Sequence, residues 1–276
     1  MVSLKLRIIV GIAVFIFGYF AVTNSTVLYN SSVFQTASAY SSESKSTYYL
    51  RADAPAPPRI EARAYIVADL LTGDVLIQKA PDKAFPIASV TKLTTAVVAL
   101  NNKLEDTELL YPLLLESSNQ TAEKITKFFG RRTFIQDMNN FAVSLGMTHT
   151  RYSDPSGISP KNVSSASDLL KLTQYIYKNT PELFDLTIVP NKDTDKNSWQ
   201  NNNLFVQERH PNYIGGKSGY TPEAKGTLVS VFALPLAGDT LRPVVVILLG
   251  TDSEMGVKYE VSQSIIDYIL TNVYFK

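Results

Sequence analysis

Apolar residues run through the chain in two rhythms. Ala64 to Leu70 and Asp74 to Lys79 are short runs containing β-branched residues, joined by the turn-prone Leu71-Thr72-Gly73, which predicts a hairpin. Two further strands are expected at Thr227 to Leu234 and Pro243 to Leu249, separated by Ala237-Gly238-Asp239. Between these pairs the period lengthens to that of a helix at Ser89 to Leu100, Thr121 to Phe129, Thr133 to Leu145 and Ser167 to Tyr177, and a closing helix is expected from Lys258 to Leu270. Two strands, a block of helices, two more strands and a last helix describe an α+β fold: an antiparallel sheet assembled from both ends of the domain and flanked by helices.

Ahead of this domain the pattern changes twice. Lys5 and Arg7 precede an uncharged apolar run from Ile8 to Val22, the arrangement of an export signal. The run is shorter than the roughly 20 residues of a full span. The small-residue site Ala37-Ser38-Ala39 lies far beyond it, which favours an uncleaved anchor over a cleaved signal peptide. The basic flank then stays in the cytoplasm and the bulk of the chain faces outward, bound to the membrane through this N-terminal segment. Residues 31–59 are rich in Ser, Thr, Ala and Tyr and close on Pro55, Pro57 and Pro58, a linker composition. The expected organisation is therefore an anchor or signal at 1–30, a linker at 31–59 and one catalytic domain at 60–276.

Composition narrows the chemistry. A chain of 276 residues with 45% hydrophobic and 18% charged residues can bury a full core. A net charge of +1 supplies no field to hold nucleic acid. With no cysteine there is no thiolate nucleophile and no Cys-ligated zinc. The two histidines, His149 and His210, form no H-E-x-x-H pattern, so neither a metal site nor a histidine-based triad is expected, and nothing calls for a cofactor.

Three polar groupings remain. In Pro86-Ile87-Ala88-Ser89-Val90-Thr91-Lys92-Leu93 a serine opens an apolar helix with a lysine three residues on, so the two side chains share a face. A serine hydroxyl needs a neighbouring base, and a lysine held neutral by burial or nearby positive charge can serve. In Leu115-Glu116-Ser117-Ser118-Asn119 a hydroxyl and an amide stand two residues apart where an apolar run gives way to a helix; the same residues suit an N-cap. In Gly215-Gly216-Lys217-Ser218-Gly219-Tyr220-Thr221, directly ahead of a predicted strand, glycines allow close approach to a strand edge while Lys217 and Ser218 can bind a carboxylate and polarise a carbonyl. A phosphate-binding P-loop fails here, because its earlier glycine would fall at Pro211 and a strand follows instead of a helix.

The order Ser-x-x-Lys, Ser-x-Asn, Lys-Ser-Gly resembles the motif set of penicillin-binding proteins and β-lactamases. From Ile60 onward the chain is similar to the D-alanyl-D-alanine carboxypeptidase family, also through Thr72-Gly73-Asp74-Val75-Leu76, Asp154-Pro155-Ser156-Gly157, Ser165-Ala166-Ser167-Asp168-Leu169 and Tyr220-Thr221. The resemblance implies a β-lactamase/transpeptidase-like fold with a helical subdomain. It implies that Ser89 attacks the penultimate D-Ala carbonyl of a peptidoglycan stem peptide, that Lys92 is the base, and that Ser117 and Asn119 complete the proton and amide network. Lys217 and Ser218 would receive the terminal carboxylate, the backbone amides of Ser89 and Tyr220 would form the oxyanion hole beside Gly219, and Lys258 falls about where relatives carry a carboxylate-binding arginine. β-Lactams would act as inhibitors, and the protein would work in the cell envelope, on the outer face of a bacterial cytoplasmic membrane or exported. This sequence departs from the family in its short interval from Lys92 to Ser117, in Ser118-Asn119-Gln120 for Gly-Asn-Asp, and in Lys225 where glycine is usual. It also lacks a further β-rich domain and C-terminal anchor, so tethering is expected from the N-terminus. The competing readings are a D,D-endopeptidase on the same residues, a β-lactamase, and a non-catalytic wall-binding protein.

Overall fold

The computed structural model describes residues 48–237, 240–252 and 255–275. The chain divides between Ser44 and Lys45 into two units, and the described residues all belong to the second. The apolar run Ile8 to Val22 and the turn at residues 238–239 lie outside them. Among the described residues no helix is long and apolar enough to cross a membrane.

In chain order the strands are β1 (Tyr48–Leu50), β2 (Ala64–Asp69), β3 (Val75–Lys79), β4 (Phe85–Pro86), β5 (Val163–Ser164), β6 (Asn191–Asp193), β7 (Ser198–Gln200), β8 (Tyr213–Thr221), β9 (Lys225–Ala237), β10 (Thr240–Thr251) and β11 (Val273–Phe275). The helices are α1 (Thr91–Asn101), α2 (Leu110–Leu114), α3 (Asn119–Phe129), α4 (Arg131–Ser144), α5 (Ala166–Asn179), α6 (Glu182–Thr187), α7 (Leu204–Gln207) and α8 (Met255–Asn272), with a 3₁₀ turn at Ala88–Val90 ahead of α1.

Strands β3-β2-β10-β9-β8 form one antiparallel sheet in that order, so the N-terminal hairpin and the C-terminal strands share it as expected. The central strand β10 buries the continuous run Val244 to Leu249, apolar on both faces because both faces are covered. On one face Val67, Phe232, Val244, Val246 and Leu248 pack with Ile265, Ile266 and Ile269 of α8. Helix α5 covers β2 and β10. Helices α1 to α4 pack on one another as the helical subdomain.

The glycine-rich Lys-Ser-Gly segment precedes the strand expected after it, which is β9, and is itself a strand that was not expected. It lies within β8, at the sheet edge, where Gly215 and Gly216 at φ 147° and 152° accompany a register irregularity between Tyr213 and Gly215. A Cβ on Gly216 would stand 2.0 Å from the Val229 carbonyl oxygen, so glycine is what lets this strand pair so closely with β9.

The 31–59 stretch also contributes to the fold. Tyr48, Tyr49 and Leu50 pair with Phe275, Tyr274 and Val273, so the linker expectation does not extend over β1. Tyr48 donates its hydroxyl proton to Asp69, the last residue of the inner strand β2.

Candidate active site

The turn bearing Ser89 is pinned on every side before any chemistry is considered. Ile87 N–H donates to Asn162 O at 3.1 Å, and Thr227 Oγ1 donates to Ile87 O at 2.9 Å. A Cβ on Gly157 would lie 1.8 Å from Ala88 O, and one on Gly219 would lie 2.6 Å from Ser89 N. Two glycines thus bring the Asp154-Pro155-Ser156-Gly157 loop and the edge strand β8 against the nucleophile turn. Ala88 itself has φ 45°, a left-handed conformation costing a non-glycine residue roughly 1–3 kcal/mol, sustained by these contacts.

One turn on, Lys92 is wholly buried. Its Nζ lies 2.9 Å from Ser89 Oγ, 2.7 Å from Asn119 Oδ1 and 2.7 Å from Ser156 O. Burial lowers its pKa to about 8, against the opposing pull of Asp154. Burial also works against Asp154's charge, but hydrogen bonds from the amides of Ser159, Gly157 and Ser156 and from the Ser156 hydroxyl hold its carboxyl below the usual range.

The Ser117-Ser118-Asn119 segment resolves the choice between cap and site by dividing the work. Ser118 is the N-cap of α3, its Oγ accepting from Thr121 N at 3.1 Å. Asn119 is thereby free to face Lys92. Ser117 is held at φ 61°, a strained backbone for a serine, and among the described residues its hydroxyl makes no side-chain hydrogen bond.

Lys217 is buried on β8, its Nζ donating to Ser218 O at 3.0 Å. Burial, then the charges of Lys92 and Lys258, push it down to about 7. Lys258 on α8 is also buried and donates to Gly219 O at 3.1 Å. Ser218 and Lys258 line one small pocket with Asn203, Leu204, Phe205, Leu228 and Tyr259. Tyr220 points its ring outward and is 45% exposed, so only its backbone remains available to the site.

Lys92 therefore touches both Ser89 and Asn119; Lys217 and Lys258 stand within electrostatic reach, and Gly219 abuts Ser89. Sequence reasoning missed Asp154, Ser156, Asn162 and Thr227. The Asp-Pro-Ser-Gly stretch was a visible signal, but nothing in its spacing showed that Ser156 O would receive Lys92. Asn162, whose Nδ2 donates to Thr91 Oγ1 at 3.2 Å across 71 residues, had no local signal.

The chain matches the family model of D-alanyl-D-alanine carboxypeptidase over residues 51–106 and 99–234. A D-alanyl-D-alanine endopeptidase of Haemophilus influenzae is 34% identical over 206 residues, covering 62% of this chain and 70% of that protein. A D-alanyl-D-alanine carboxypeptidase of Mycobacterium tuberculosis is 30% identical over 233 residues, 72% of this chain and 78% of its own length. The crystal structure of a D-alanyl-D-alanine carboxypeptidase from Mycobacterium tuberculosis H37Rv superposes with a TM-score of 0.70 at 26% identity, over 81% of this chain and 96% of that one.

Proposed function

The chain belongs to the D-alanyl-D-alanine carboxypeptidase family, and from that premise we propose that it removes the terminal D-alanine of peptidoglycan stem peptides through an acyl-enzyme on Ser89. The observation that carries the assignment of roles is the buried Lys92 amine 2.9 Å from Ser89 Oγ. A neutral amine has two N–H bonds and one lone pair. Asn119 Oδ1 and Ser156 O can only accept, so they take the two N–H bonds and the lone pair is left facing the Ser89 hydroxyl. Lys92 is thus aimed at the proton it must remove.

As Ser89 Oγ bonds to the penultimate D-Ala carbonyl carbon, its proton passes to Lys92 and the carbonyl oxygen becomes an oxyanion. The backbone amides of Ser89 and Tyr220 are the donors assigned to it, each worth about 3 kcal/mol of transition-state stabilisation. Gly219 supports the pairing because its missing Cβ is what allows β8 to lie against Ser89 N. Collapse of the tetrahedral intermediate breaks the C–N bond; the proton returns through Lys92 and Ser117 to the leaving D-alanine amine, and water then hydrolyses the ester. Lys217, Ser218 and Lys258 receive the substrate's terminal carboxylate. Lys217 and Lys258, both buried beside Gly219, favour an anionic ligand. A β-lactam, a strained amide bearing a carboxylate, enters the same path and stays as an acyl adduct.

The endopeptidase reading stays alongside, favoured by the relative of that name at 34% identity. The deciding experiment treats residues 48–276 with a fluorescent penicillin and maps the labelled peptide, then incubates the enzyme with purified peptidoglycan fragments for mass analysis. Labelling at Ser89, lost in Ser89→Ala, and removal of one alanine support the carboxypeptidase; cleavage of cross-links selects the endopeptidase; labelling elsewhere rejects the assignment. We also propose that the segment Ile8 to Val22 tethers the enzyme to the outer face of the cytoplasmic membrane, a reading that a mature N-terminus near Tyr40 would overturn.

A further inference from the structure

Ser117 has a left-handed backbone, at φ 61°, closed on one side by its own segment, where Ser118 N–H donates to Pro112 O at 2.9 Å. The two carbonyls immediately before it are both taken by one residue that no motif includes. Asn202 N–H donates to Leu115 O at 3.0 Å, and Asn202 Nδ2 donates to Glu116 O at 3.1 Å. The same segment grips α2 just upstream, where the Trp199 ring stacks on Tyr111 at 6.0 Å and an interplanar angle of 8°.

Asn202 is in turn held by its two neighbours, both buried. Asn201 Nδ2 donates to Thr187 O at 2.8 Å and Val189 O at 2.9 Å, and Asn203 Nδ2 donates to Tyr213 OH at 2.7 Å. Thr187 Oγ1 accepts from Gly216 N at 3.0 Å, one residue before Lys217. A continuous run of hydrogen bonds therefore leads from the strand bearing Lys217 to the backbone bearing Ser117, that is, from one wall of the cleft to the other.

Resting on the acyl-enzyme reading, we infer that Asn202 is a positioning residue for the reaction. It fixes the backbone from which Ser117 and Asn119 project, and through Asn201 and Asn203 it sets that wall's distance from β8. Asn202 touches neither Ser89 nor Lys92 in any of these contacts, so its effect travels through Ser117 and Asn119.

The experiment measures penicillin acylation by stopped flow, separating the noncovalent dissociation constant from the acylation rate. Asn202→Ala is expected to slow acylation about tenfold, since small misplacements of reacting groups cost up to about a hundredfold, with the dissociation constant unchanged and the urea midpoint preserved. Asn202→Asp, which keeps the size but loses the Nδ2 donor, must show the same split. In a Ser117→Ala background the further loss should be clearly smaller than tenfold, since only the route through Asn119 remains, whereas an independent structural defect would multiply in full. Wild-type acylation rates in both Asn202 variants, or full multiplication with Ser117→Ala, would overturn the inference. A wild-type enzyme that takes no label at Ser89 would overturn the acyl-enzyme reading itself and the positioning role with it.

Discussion

With Lys217 pushed down to about 7 and Lys92 to about 8, raising the pH strips Lys217 of its proton first. Catalysis needs the reverse distribution, a charged Lys217 to hold the carboxylate and a neutral Lys92 to take the serine proton. A bound carboxylate restores the charge on Lys217 and moves the balance the right way. Of the two causes expected to keep Lys92 neutral, burial and nearby positive charge, burial is the larger, and Asp154 opposes it. For kcat/KM on a D-Ala-D-Ala peptide we expect a bell with its maximum between pH 7 and 8. Lys217→Gln should lower its height and leave a single rising limb near 8, where Lys92 alone loses its proton. A rise displaced well above that value would show that Lys217 had been depressing Lys92 after all. At this scale the sequence was readable wherever chemistry demands a residue type at a set spacing, as with Ser89 and Lys92. It was silent on Asn162 and Asn202, whose partners Thr91, Leu115 and Glu116 are brought near only by folding.

Strand β8 and the 3₁₀ turn meet at Gly219, and there the fold sets the geometry of the reaction. Gly219→Ala would put a methyl group 2.6 Å from Ser89 N and 2.8 Å from Thr227 Oγ1, so β8 must move away from the nucleophile. We expect acylation to fall about a hundredfold while far-ultraviolet circular dichroism is retained; a variant acylated at the wild-type rate would show that the turn, and not the strand, sets the oxyanion geometry. The elements that sequence periodicity identified, the 64–79 hairpin, β9, β10 and the long helices, are those whose apolar pattern is set by a buried face. Strand β8 escaped because its sequence, Tyr213-Ile214-Gly215-Gly216-Lys217-Ser218-Gly219, is built for close approach and not for alternation. The β6–β7 hairpin, Asn191-Lys192-Asp193 against Ser198-Trp199-Gln200, is polar on both strands and leaves no periodic trace.

At the scale of the molecule, a buried ion pair joins the inner strand β2, through Asp69, to the central strand β10, through Arg242. Arg242 Nη2 lies 2.6 Å and Nε 2.8 Å from Asp69 Oδ2, and the guanidinium sits 4.4 Å from the Phe275 ring centroid. Asp69 Oδ1 also receives the amides of Leu71 and Thr72, tying the turn of the first hairpin to β10. Arg242→Met would leave that carboxylate buried without its cation, and we expect a loss of about 3–5 kcal/mol in urea unfolding; a loss below about 1 kcal/mol would mean that the pair contributes no more than a surface one. No sequence pattern foretold this cluster, because Tyr48, Asp69, Arg242 and Phe275 come from four distant parts of the chain and converge only when β1 closes on β11. That closure, Tyr48 opposite Phe275, makes the folded chain a ring lacking one covalent joint. A ring can be opened elsewhere: a short peptide joining residue 275 to residue 48 would let the polypeptide begin instead at the exposed tip Asp195-Lys196, freeing the enzyme from whatever lies upstream.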